Sequence, residues 1–182
     1  MSTARRKQLI RIGFWALAIV AAVLIVRAII DDDDDPSSSS STMAAELVDV
    51  DELRDFASDE EEPVYWAGAQ AGTELELSKP AEGRTLVRYL TGGAEAGDPN
   101  VEYLTVGTYA FPDAAKALTE QSREPGGVKA AAPGGAVVYF NRSQPQSVYL
   151  AYPGEDVQVE VYDPDAKRAL ELVSSGQVVP VG

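Results

Sequence analysis

Three pairs of carboxylates stand close enough along the chain to be weighed as acid–base partners: Glu74 with Glu76, Glu155 with Asp156, and Asp163 with Asp165. Such work needs a cleft that shifts a pKa, and the local patterns place these groups elsewhere. Glu74 and Glu76 alternate with Leu75 and Leu77, which reads as the solvated face of a strand. Asp163 and Asp165 flank Pro164 where a helix should begin. Ser78 beside Lys79 and Ser143 beside Arg142 could be written as nucleophile and activating base. Neighbours on a strand face opposite ways, so neither pair converges. Asp31 to Asp35 could draw a cation, but the run lacks the turn and ligand spacing of a calcium loop.

The chain contains no His and no Cys. Thiol catalysis, His-dependent triads, His or Cys zinc sites and a disulfide framework are therefore excluded. Gly92-Gly93 is not followed by Lys-Ser or Lys-Thr, so no phosphate-cradling loop is present. These residues call for neither a metal nor a cofactor. Aromatic side chains remain. All eight Tyr and Trp66 lie beyond residue 62. Most of the tyrosines fall in expected strands, where Tyr suits half-buried positions. If one aromatic patch binds a ligand, Trp66 with Tyr65 is the first choice. The pair sits in a short run between Pro63 and Gly68, and aromatic anchors dominate many interfaces.

The element that sets where these groups work is the stretch from Ile12 to Ile30. It has no polar side chain as far as Val26. As a helix it is roughly 28 Å long, close to the hydrocarbon thickness of a bilayer. Arg27 lies near its end, where the guanidinium can snorkel outward, and Asp31 follows one helical turn on. Arg5, Arg6, Lys7 and Arg11 precede the run and Asp31 to Asp35 follow it, which sets the N-terminus on the cytoplasmic side. The small residues Ala18, Ala21 and Ala22 are inside the apolar run instead of after it. An uncleaved single-pass signal anchor is therefore expected in place of a cleaved signal peptide. The organisation expected is a basic tail over 1–11, a transmembrane helix over 12–30, and an acidic, Ser-rich disordered linker over 31–42. An acidic segment with a short amphipathic helix would occupy 43–62, and an extracytoplasmic domain 63–182.

The net charge of -14 is unevenly spread. Residues 31–62 carry 14 acids and one base, whereas 63–182 carry 15 acids and nine bases. A surface of that sign argues against nucleic acid as partner.

Within the domain, hydrophobic periodicity yields strands over Val64–Ala67, Thr73–Leu77, Arg84–Leu90, Val101–Tyr109, Ala136–Phe140, Ser147–Tyr152, Val157–Tyr162 and a terminal Val178–Val181. Helices are expected over Leu47–Ala57, from Pro112, and from Asp163. Pro112-Asp113-Ala114-Ala115-Lys116-Ala117-Leu118 and Pro164-Asp165-Ala166-Lys167-Arg168-Ala169-Leu170 read as a repeat or as two strand-to-helix junctions of like chemistry. The fold class is α+β, a mainly antiparallel sheet with helices packed on one face. The function expected is a non-catalytic, membrane-anchored module that binds a protein or cell-envelope ligand. The alternative is a carboxylate-dependent hydrolase acting on cell-envelope glycans.

Overall fold

The computed structural model describes residues 42–60, 63–80 and 83–182. The basic tail over 1–11, the apolar run over 12–30 and all of the linker but Thr42 lie outside them. Among the described residues no helix is long and apolar enough to cross a membrane.

The described chain forms an eight-stranded antiparallel sheet and a two-stranded ribbon. The large sheet is built from β1 (Met43–Val48), β3 (Glu74–Lys79), β4 (Arg84–Leu90), β5 (Thr105–Ala110), β6 (Gly127–Ala131), β7 (Val137–Asn141), β8 (Gln144–Ala151) and β9 (Val157–Tyr162). Its spatial order is β1-β3-β4-β5-β9-β8-β7-β6, two meanders joined where β5 pairs β9. The ribbon joins β2 (Tyr65–Trp66) to β10 (Val179–Pro180), with Trp66 opposite Val179. Three α-helices are present among the described residues: α1 (Val50–Asp59), α2 (Ala114–Gln121) and α3 (Ala166–Ser174).

The mainly antiparallel sheet agrees with the pattern in the sequence; the placement of the helices does not. Strand alternation sends Leu75, Leu77, Val87, Tyr89, Val106, Val138, Val148, Leu150, Val159 and Val161 to one face. There they cluster with Leu53 of α1 and with Ala169, Leu172 and Val173 of α3. The opposite face carries Tyr139, Tyr149 and Ala151, which pack under Ala114 and Leu118 of α2. Helices therefore cover both faces, not one. The reason is local: β7 and β8 are apolar on both sides, so each side needs its own cover.

Two further differences concern boundaries. Met43–Val48 forms strand β1, which pairs with β3 at the sheet edge. The helix begins only at Val50. Asp49 caps it, accepting from the backbone N–H of Asp51 (2.8 Å) and Glu52 (2.9 Å) while the Glu52 carboxylate accepts from Asp49 N–H (2.8 Å). Val128 to Ala131, left unassigned by periodicity, belongs to edge strand β6.

The two helix junctions that share a sequence pattern do not share a structure. Asp165 is extended and its side chain caps α3. Asp113 is left-handed, with φ of 56°, and makes no side-chain cap. A duplication related by a twofold axis normal to the sheet, between β5 and β9, would put both helices on one face. α2 and α3 lie on opposite faces, so their likeness is junction chemistry.

Candidate functional site

The ribbon brings together the surface that the aromatic residues suggested. Pairing of β2 with β10 sets Trp66 beside Val179. Val179 is 42 % exposed, one of three large apolar side chains so placed among the described residues. Trp66 is half-buried, with part of its ring packed on the main core. Tyr65 is a member of that core. It is buried, its ring stacks on Tyr152 with centroids 6.5 Å apart, and its hydroxyl donates to Glu155 Oε2 at 3.3 Å. Burial, and then the charge of Glu155, push the Tyr65 hydroxyl well above the usual tyrosine range. Of the two aromatics, Trp66 is the one that presents surface.

The carboxylate pairs are divided among different tasks. Glu74 is exposed. Glu76, expected on a solvated face, is 1 % exposed. One of its oxygens pairs with Arg88 Nη1 at 2.7 Å, and the other accepts from the backbone N–H of Gly97 at 2.6 Å. The loop 91–104 folds back over this end of the sheet, which is why alternation alone misplaced the side chain. Arg88 also donates to the carbonyls of Asp98 (3.0 Å) and Asn100 (2.7 Å) and lies 5.2 Å from the ring centroid of Tyr103. Glu155 receives the Tyr65 hydroxyl, while Asp156 Oδ1 accepts from Asp113 N–H at 3.0 Å. Asp163 ion-pairs with Arg168 at 3.1 Å, and Asp165 accepts from Lys167 N–H at 3.0 Å. Lys79 engages Glu60 at 2.7 Å, not Ser78. Ser143 sits in the turn between β7 and β8 and donates to Asn141 Oδ1 at 2.7 Å.

A second constellation escaped the sequence reading. Glu160 of β9 is 8 % exposed. Its two oxygens accept from the hydroxyls of Tyr109 and Tyr149, each at 3.0 Å. Directly across from it on β5 is Gly107. A Cβ there would stand 2.9 Å from both Cε2 and Oη of Tyr109. The missing side chain is what lets the Tyr109 ring fold over β5 to reach Glu160. Burial first, and Glu160 second, raise both hydroxyls far above the ordinary tyrosine value, so both remain donors. The only signal in the sequence was a glycine inside a strand.

Glu76 and Glu160 share a sheet face, but three inter-strand spacings separate β3 from β9. That is about 14 Å. Glycoside hydrolysis by two carboxylates needs them roughly 5–9.5 Å apart, and each of these is already engaged by protein donors.

The buried tyrosines make the fold sensitive to alkali. Tyr89 is 1 % exposed, and its oxygen accepts from Ala67 N–H at 2.7 Å. Burial raises its pKa from 10.0 to about 12. The folded state therefore keeps a proton that the unfolded state gives up, and stability falls as pH rises. The contribution is complete below pH 10.0 and lost as pH climbs through about 12. Two pKa units correspond to about 2.7 kcal/mol. Urea melts over this alkaline range should show the midpoint dropping, and Tyr89→Phe should remove its own share of the drop while Tyr65, Tyr109 and Tyr149 keep theirs. A midpoint indifferent to pH there would contradict the burial argument.

No family model matches the chain, and no curated protein or solved structure matches it either.

Proposed function

We propose that this chain is a membrane-tethered, extracytoplasmic binding module for a protein or cell-envelope ligand. Residues 12–30 serve as the single-pass anchor, with Arg5, Arg6, Lys7 and Arg11 on the cytoplasmic side. The acidic run from Asp31 holds the domain away from an anionic membrane surface. Trp66 is the contact residue. The observation that supports this reading is the pairing of Trp66 with exposed Val179 on the β2–β10 ribbon. A half-open aromatic ring beside an exposed branched side chain provides apolar contact area on an otherwise acidic domain. The buried carboxylates favour binding over hydrolysis, because they are spent on internal donors and stand too far apart to flank one bond.

Val179→Asp tests the patch cleanly, since the side chain is exposed and its loss opens no cavity. The variant should melt within about 0.5 kcal/mol of the parent and fail to retain its envelope ligand on membranes. Trp66→Ala should also lose capture. It should in addition cost part of the roughly 3–5 kcal/mol of a buried aromatic, because its ring packs on the core. Undiminished capture by Val179→Asp would rule the ribbon out as the contact surface.

A further inference from the structure

The sequence contains three Asp–Pro bonds: Asp35–Pro36, Asp98–Pro99 and Asp163–Pro164. Such a bond is chemically weak. Its amide nitrogen is tertiary, and the aspartic side chain can close a five-membered ring on its own carbonyl carbon, an intramolecular attack favoured by proximity.

At Asp98–Pro99 a cation polarises the carbonyl that the side chain would attack. The Asp98 carbonyl oxygen accepts a hydrogen bond from Arg88 Nη2 at 3.0 Å. Its carboxylate is held on both sides: Oδ1 accepts from Asn100 N–H at 2.7 Å, and Oδ2 from the Tyr103 hydroxyl at 3.3 Å. Arg88 is itself fixed by buried Glu76, which also grips Gly97 N–H at 2.6 Å, the residue just before Asp98. Asp98 is half-buried and Pro99 exposed, so water reaches the bond. Asp163 differs. It is 3 % exposed, and its carboxylate is tied to Arg168 at 3.1 Å and to Asp165 N–H at 2.9 Å.

We propose that Asp98–Pro99 is a self-cleavage site. The protonated Asp98 carboxyl attacks the Asp98 carbonyl carbon, and the carbonyl electron pair moves onto the oxygen that Arg88 holds. The tetrahedral centre collapses, and the C–N bond breaks with its electron pair passing to Pro99 nitrogen. That nitrogen takes the proton the carboxyl releases. The product is a cyclic anhydride at Asp98 and a new N-terminus at Pro99. One water then opens the anhydride, its hydroxyl adding to carbon and its proton to the ring oxygen. The net change is hydrolysis of one peptide bond, with no oxidation or reduction. Acid speeds the step because the carboxyl must bring the proton that Pro99 removes. The charged and titratable groups around Asp98 are Arg88 from β4, Glu76 from β3, and Tyr103, Glu95 and Glu102 from the loop itself.

The cut falls between β4 and β5, which pair directly from Arg84–Tyr109 to Arg88–Thr105. Both fragments therefore remain in one sheet, and the break shows only under denaturing conditions.

The test uses the full chain in detergent, incubated in mildly acidic and in neutral buffer, with fragments read by intact mass. The folded chain should break at Asp98–Pro99 on the order of tenfold or more faster than at Asp163–Pro164. In concentrated urea, where the Arg88 and Tyr103 contacts are gone, the two bonds should break at similar rates. Asp98→Asn should remove the acid-dependent cut, and Tyr103→Phe, which keeps the ring but removes a donor to the carboxylate, should not slow it. An Asp98–Pro99 bond that survives native acid conditions as long as Asp163–Pro164, or breaks faster in urea than in the folded chain, overturns the proposal.

Discussion

Arg88→Ala is expected to cost about 3–5 kcal/mol, the penalty for removing one partner of a buried ion pair and leaving the other charged and alone. Glu76 is 1 % exposed and has Arg88 at 2.7 Å. Losing the guanidinium also orphans two carbonyls, those of Asp98 and Asn100, and removes the cation from the face of Tyr103. The loop 91–104 should then come loose, and amide exchange at Gly97 should rise, since its N–H is held only through Glu76. Glu76→Gln separates charge from shape. An amide has one acceptor oxygen; turned to Arg88 it sets its NH2 against the Gly97 N–H, so the single change also costs, but less than Arg88→Ala, which leaves a buried carboxylate alone. Added to Arg88→Ala, it should recover part of the loss by removing the unpaired charge. Urea midpoints of the two single variants and the double variant decide. If Arg88→Ala melts within about 1 kcal/mol of the parent, the pair behaves as an exposed one and the loop is fastened elsewhere.

That pair also marks how far the sequence can be read. A period of two correctly sent Leu75 and Leu77 inward, and likewise Val157, Val159 and Val161. It could say only that Glu76 and Glu160 face the other way, not whether that other side is wet. A loop covers one, and tyrosines from two other strands surround the other. Tyr109, Tyr149 and Glu160 meet because β5, β9 and β8 are adjacent, a long-range fact no local pattern contains. The start of the sheet is legible in the sequence. Leu47, Val50 and Leu53 have helical spacing, and that spacing drew the helix back into β1. The Asp49-x-x-Glu52 capping box fixes the helix start at Val50 and leaves Met43–Val48 free to be a strand. Edge strand β6 gave no such signal. Its Val-Lys-Ala-Ala core neither alternates clearly nor favours strand, and only pairing with β7 forms it.

The misplaced start of the sheet carries the other large expected effect. A chain beginning at residue 63 lacks β1 and α1 together, whereas one beginning at residue 42 keeps both. Leu53 of α1 is 0 % exposed and belongs to the main core with Leu75, Leu77 and Val87. Val50, Phe56 and Ala57 pack around it from the same helix. Leu53→Ala alone should cost about 2–5 kcal/mol through lost burial and a residual cavity. Total stability in domains of this size is about 5–15 kcal/mol, so removing all of α1 should leave the shorter chain largely unfolded. Loss of β1 adds to this by exposing β3 as a new edge, with Leu75 and Leu77 uncovered on the helix side. Deleting 31–41 instead should leave the urea midpoint unchanged, because an Asp- and Ser-rich spacer buries too little to repay its ordering entropy. Circular dichroism and urea melts of the three chains distinguish the cases. A chain from residue 63 that melts cooperatively near the midpoint of the chain from residue 42 would show that α1 rides on the core without holding it.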